Sequence, residues 1–449
     1  ADLTLNAPVN VLSGGILSYG GTIKFGAGAN GTSFAANNSG MRVIDTALVL
    51  ETDIECSNIR FAGSATLQTN GKKISLNNIS LGFNYEKDLQ TELDFTDIET
   101  DGDTSLYLDG NSSIKKTGNL NFKRILLFGQ TLTLNSEITS LTTEEIVTTS
   151  YNPNSPVYLS NSGKLLAQGV DVTLTKKLWV DKGKIEMGGG TLTLQKGGGL
   201  GSSGDGEIDL TNSALELAGP FLNDGGTLKT SASTLKLKAN VLFRLGNEVT
   251  FNTYEPNGWG LLIYDNNNSS STKNLTLGTS NSNITLQPNA NSLTSGFVSW
   301  YHDNGTTEYV TGERYIGIDS AGSLTINGNL ILKDNATINS NYGGEAIIGN
   351  LDLENGNILS KGDKISLAGG AVGTNGLINV GHGSILELQG NLSVAGVLNL
   401  DSESVFKLEG NTLELSGGKF HTDDDLNLAG SLSITGDSEL TVSQGHTLT

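Results

Sequence analysis

The chain has 449 residues and a net charge of −20, from 47 Asp and Glu against 27 Lys and Arg, and its 59 glycines amount to about 13%, near double the usual ~7%. A single cysteine excludes a disulfide scaffold, and six prolines without a Gly-X-Y period exclude collagen. The negative charge opposes a nucleic-acid partner, since each phosphate contact needs a cation. No run of ~18 apolar residues is present to span a bilayer, and regularly spaced apolar residues at 36% argue against disorder.

In chain order, the sequence starts at Ala1 with no charged-plus-apolar leader, the pattern expected of a mature exported product. Strands follow at once, at Leu3/Leu5 and Val9/Val11, with a further inward pair expected at Leu17/Tyr19. Farther on, Ile54/Ile74, Cys56/Leu76, Ile59/Ile79 and Phe61/Leu81 are each 20 residues apart. Cys56 sits at an inward position and reads as a buried hydrophobe rather than a nucleophile. The segment Asp97-Ile-Glu99-Thr-Asp101-Gly-Asp103 sets alternate oxygen ligands before a turn glycine, like the first half of a calcium loop. The twelfth position is Leu108 instead of Glu, so a side-loop Ca²⁺ site at Asp97, Glu99, Asp101 and Asp103 stands beside a plain solvated acidic turn.

From about 246 to 320 the rhythm loosens and aromatic residues collect, among them Tyr254, Trp259, Trp300 and Tyr301. Long loops on coils, or a small lateral β insertion, account for this stretch. Exposed rings there could stack on sugar faces or anchor a protein partner. The organisation expected is therefore 1–245 and 321–449 as solenoid, with 246–320 as the irregular aromatic-rich part.

The period is clearest from Ile385 onward, where apolar-polar-apolar strands start at 386, 406, 426, at 392, 413, 432 and at 398, 420, 440. Gly-Asn pairs such as Gly328-Asn329, Gly349-Asn350, Gly390-Asn391 and Gly410-Asn411 supply the corners between them. Three short strands per ~20-residue coil, with no sustained helical pattern, predict an all-β parallel β-solenoid of ~22 coils, on the order of 100 Å long. The inner face is Leu, Ile, Val and Phe, and the outer face is Thr, Ser, Asn, Lys and Glu.

The short Leu-x-Leu strands with Gly-Asn corners, as in 385-ILELQGNLSVAGVLNLDSES-404, resemble the passenger regions of bacterial autotransporters and other secreted β-helix adhesins. That resemblance covers most of the chain and implies a right-handed solenoid at the cell surface. It carries over no functional residue.

A solenoid edge exposes unpaired backbone groups and an open apolar core, and neither edge here shows a polar or helical cap. Counting a second copy on from residue 449 puts Leu3/Leu5 20 residues beyond Leu432/Ile434, and Val9/Val11 close to 20 beyond Leu440/Val442. The expected contact is head to tail, with Leu3, Leu5, Val9 and Val11 stacking on Leu432, Ile434, Leu440, Val442 and Leu448. The function expected is a structural subunit of an extracellular filament, surface fibre or biofilm polymer, with identical subunits as partners. An adhesin or phage-type spike binding surface polysaccharide through the aromatic loops is the alternative, and a polysaccharide-cleaving β-helix enzyme comes third. No catalytic constellation can be named: His421 before Asp423-Asp424-Asp425 reads as an acidic corner, and no resident cofactor beyond the Ca²⁺ option is expected.

Overall fold

Segments of three to five residues alternate apolar and polar side chains, so one face of each strand is fit for burial and the other for water. In the computed structural model the chain is all-β, 62% strand, with parallel sheets stacked as a β-solenoid of about 18 turns. The structure describes residues 2–34, 39–82, 88–100, 102–147, 162–176, 178–264, 273–289, 297–300, 307–310, 316–319, 322–341 and 344–449. A single 3₁₀ turn, Ala27–Ala29, is the only helical element among them.

The chain divides into two compact units, Ala1–Ala214 with Gly226–Lys229, and Leu215–Gly225 with Thr230–Thr449. In the first, strand Ile54–Ala62 lies parallel to Ile74–Leu81, with Ile54 on Ile74, Cys56 on Leu76, Ile59 on Ile79 and Phe61 on Leu81. These are the pairs the 20-residue spacing predicts. Edge-to-face ring pairs Phe25/Phe34 and Phe95/Phe122 fill its interior, at 6.2 and 6.4 Å between centroids. In the second unit Leu392, Leu413 and Leu432 form one column, Leu398, Phe420 and Leu440 another, and Leu386 stacks on Phe406. Each aliphatic side chain removed from water in such a column contributes about 1.5–3 kcal/mol.

Fewer turns form than a uniform 20-residue period gives, because some coils are much longer. Ser140 pairs with Asp171, 31 residues on, and Leu261 pairs with Ile316, 55 residues on. The second of these lies in the aromatic-rich stretch, which also holds an antiparallel pair, Phe297–Trp300 with Thr307–Val310, beside the parallel pairing of the coils. Long strands also turn corners without breaking. Within Gly118–Leu126 the inward side passes from Leu120 and Phe122 to Ile125, so one strand serves two faces.

Corners are held by a recurring rung between coils. A side-chain oxygen of Asp or Asn accepts the backbone N–H of the residue 20 positions later: Asp53 from Lys73 (2.9 Å), Asn111 from Thr131 (2.8 Å), Asp171 from Thr191 (2.7 Å) and Asn240 from Gly260 (2.7 Å). Each satisfies a donor where the strand ladder begins. The corner glycines serve two needs. Gly410 has φ +82°, which favours glycine, whereas at Gly390 a Cβ would lie 2.0 Å from the Ala368 carbonyl oxygen of the neighbouring coil.

Candidate interaction sites

At the N-terminal edge, strand Leu3–Leu5 pairs with the following coil, Leu3 on Ile23 and Leu5 on Phe25. The Thr22 amide donates to Asp2 Oδ1 at 2.8 Å and the Gly26 amide to the Leu5 carbonyl at 2.8 Å, which lock the edge strand down. Asn10 bridges to Ser33, which aligns Val9 and Val11 with the buried Thr32 and Phe34. All four predicted contact residues of this edge therefore sit at the top of inward columns. Leu3 is 40% exposed while Ile23 beneath it is 1% exposed.

The other edge matches. Leu432 and Ile434 continue the columns of Leu413 and Leu415, Leu440 and Val442 those of Phe420 and Thr422, and Leu448 that of Leu426. Ile434 is 51% exposed, and Leu432, Leu440, Val442 and Leu448 are half-buried. The N-terminal edge thus offers two segments, and the C-terminal edge three, whose apolar side chains are covered on one side.

Two register details differ from expectation. Leu17 pairs with Arg42 on the outer face and Ile16 with the buried Met41, so the inward residue is Ile16. The cause is that Gly14–Phe25 is one 12-residue strand, with Gly20 and Gly21 at φ +75° and +87° in the middle, where the chain turns a corner. Leu448 pairs with Leu426, 22 residues back, because five residues, 443–447, join Val442 to Leu448 where three, 423–425, join Thr422 to Leu426. In this corner His421 Nε2 lies 2.9 Å from Asp423 Oδ1, the Ser443 hydroxyl donates to Asp423 at 2.7 Å, and the Thr447 amide donates to Asp425 at 2.7 Å. Both carboxyls are held below their usual range, Asp423 by Ser443 and then His421, Asp425 by the Thr447 amide and hydroxyl. The cluster ties one coil to the next.

Among the described residues, the aromatic candidates are not all exposed. Tyr254 is 5% exposed, its position paired with the buried Leu235, so its ring belongs to the core and is corrected from a contact residue to a packing one. Trp259 is half-buried on a turn where its amide donates to the Pro256 carbonyl at 2.9 Å. Trp300 ends the antiparallel strand opposite Thr307, and Tyr301 lies outside the described residues.

Along the acidic segment, carboxylates turn toward neighbouring coils instead of converging. Asp97 accepts from the Thr69 hydroxyl, and Glu99 pairs with Lys73 and accepts from Ser75 at 3.1 Å. Lys116, beside this segment, donates to the Phe95 and Ile98 carbonyls at 3.2 and 3.0 Å. Asp103 makes an interaction of its own, and Asp101 lies outside the described residues. Among the described residues no group of three or more His, Cys, Asp or Glu is placed to hold a metal ion. Cys56 is buried, and desolvation pushes its thiol up to about 12, which keeps it a neutral hydrophobe.

Charge on the outer face follows the register. Lys115 stands across from Asp94, Arg124 from Glu145, Lys184 from Glu207, Lys364 from Glu345 and Lys419 from Glu439, each one coil apart and within ion-pair reach. Lys184 also reaches Glu186 and Asp209, and its ammonium is held above its usual range, first by Glu186. The rule is not general: Arg42 stands across from Arg60, Lys164 across from Lys184, and Arg244 across from Leu222 and Tyr264.

Comparison of the chain with protein-family models, curated proteins and solved structures finds no match. The fold and its edges therefore carry the functional reading.

Proposed function

We infer that the chain is a structural subunit of an exported filament or surface fibre, assembled head to tail by stacking of edge coils. The observation behind this reading is the state of the inward columns. Leu3, Leu5, Val9 and Val11 on one edge, and Leu432, Ile434, Leu440, Val442 and Leu448 on the other, continue buried columns yet remain exposed or half-buried themselves. Each edge is built of parallel strands, so a second copy can add its N-terminal coil by the same kind of parallel ladder. Such a contact is heterologous and generates an open polymer rather than a closed dimer. Covering these nine side chains contributes about 1.5–3 kcal/mol for each one fully buried, set against the cost of association.

Electron microscopy and light scattering test it. The parent chain should form long, thin, unbranched fibres, and a variant carrying Leu3→Lys and Leu5→Lys should stay monomeric with an unchanged β-sheet spectrum. Fibres of parental length from that variant would refute end stacking.

A further inference from the structure

Beyond assembly, we propose that a groove and a side-chain ladder on the outer face of the first unit bind an uncharged, extended β-1,4-linked glycan. The groove has a volume of about 600 Å³, within the ~300–1,000 Å³ typical of ligand sites. Lys73, Asp97, Glu99 and Lys116 line it together with Asn119 and Asn121. All four charged groups are engaged within the fold: Lys73 pairs with Glu99, Asp97 accepts from the Thr69 hydroxyl, and Lys116 donates to the Phe95 and Ile98 carbonyls. Two ammoniums and two carboxylates cancel, on a chain whose net charge is −20. The groove therefore draws in neither a polyanion nor a polycation.

Asn119 and Asn121 also begin a ladder that the strand register extends away from the groove. Asn121 stands across from Thr142, Thr142 from Thr173 and Thr173 from Thr193; beside them Asn119 stands across from Ser140, and Ser140 from Asp171. Each rung is split by a buried residue, Leu120, Leu141, Val172 and Leu192 in turn, so these polar side chains face outward. Asp171 carries the one charge of the ladder, and its carboxylate accepts the Thr191 amide at 2.7 Å. Hydroxyls and side-chain amides both donate and accept, as the hydroxyls of a sugar do. Successive rungs lie ~4.8 Å apart, close to the advance of one sugar in an extended β-1,4 chain. A glycan laid across the strands thus meets an equivalent pair of side chains at each sugar, whereas a coiled α-linked chain would fall out of step.

The site lies between strands of the first unit and does not rest on end stacking, so the two readings can fail separately. Calorimetric titration with cellohexaose and chitohexaose should show binding that is the same at low and high NaCl, because no ion pair forms with the ligand. Cellobiose, which spans fewer rungs, should bind about tenfold more weakly. The Asn121→Ala/Thr142→Val/Thr173→Val variant strips polar groups from three outward positions and should lose about tenfold in affinity with an unchanged melting temperature. Thr173→Val alone should weaken binding in the same direction, and Thr142→Ser/Thr173→Ser, which keeps both hydroxyls, should bind like the parent. Failure of both hexasaccharides to bind, or equal affinity of the parent and the triple variant, would overturn the site. Polygalacturonate bound more tightly than cellohexaose would overturn the uncharged class, and cellobiose bound as tightly as cellohexaose would overturn the ladder. Loss of fibres by the ligand-free triple variant would move these side chains to a contact between copies and contradict the assignment.

Discussion

Leu3 and Ile23 occupy the same inward position of the same column, one rung apart, yet one is 40% exposed and the other 1%. Nothing in the local chemistry separates them: both are aliphatic, both lie in parallel strands, and both alternate with polar neighbours. What differs is coverage on the second side. In a stacked solenoid a residue's stabilising contribution is set by the rungs above and below it more than by its own identity, so edge and interior positions answer different questions. Interior columns report on folding, and edge columns on association.

The largest expected effect is at an interior rung. Leu386→Asp places an unpaired charge in a fully buried column and should cost about 4 kcal/mol or more, whereas Ile434→Asp at the edge should leave the folding midpoint nearly unchanged and abolish fibres. Urea unfolding of both, beside fibre counts, checks the contrast; equal destabilisation would erase the distinction between edge and interior. A second, smaller contrast concerns ion pairs. Arg244 and Asp224 form a nearly buried pair, and Asp224→Ala should cost about 3 kcal/mol by leaving the guanidinium without its carboxylate. The exposed Lys419–Glu439 pair is screened by water, and Glu439→Gln should leave the denaturation midpoint unmoved.

The smallest effect is on pH. Because Asp423 and Asp425 titrate lower in the folded chain than when unfolded, the stability they lend the last coil is complete above about pH 4 and is lost as pH falls through their depressed folded values. Hydrogen exchange at Ser443 and Thr447 should therefore quicken on acidification below pH 4, and less so in Asp423→Asn. Exchange that does not quicken between pH 5 and pH 3 would contradict this contribution.

The sequence displays the columns because stacking converts a spatial repeat into a numerical one. Leu392, Leu413 and Leu432 could be aligned by counting alone, as could Ile59 with Ile79. Counting fails where chain is inserted between rungs, as between Leu261 and Ile316, since an insertion leaves the inward pattern intact but erases the offset. It also fails at corners inside a strand: alternation assigned Leu17 to the core, but the turn at Gly20 separates the faces and puts Ile16 inward. Tyr254 was misplaced for a related reason, because an aromatic residue has the same letter in a core as on a binding surface. The polar rungs such as Asp171 to Thr191 were readable in principle, as an Asx 20 residues before a strand start, but are weak against a chain rich in Asn and Asp. Arg42 and Arg60 are 18 apart and only adjacent once the shortened coil is known.

Covalent trapping addresses the central claim of head-to-tail stacking most directly. The expected register sets Leu5 of one copy on Ile434 of the next, at the Cα spacing of adjacent rungs, which a disulfide can bridge, and the buried native Cys56 does not compete. A chain with Leu5→Cys and Ile434→Cys, oxidised at assembly concentration and run on a non-reducing gel, should give a ladder of covalent multimers, and each single variant should give none. No ladder from the double variant, or dimers from Leu5→Cys alone, would contradict end-to-end stacking of these coils.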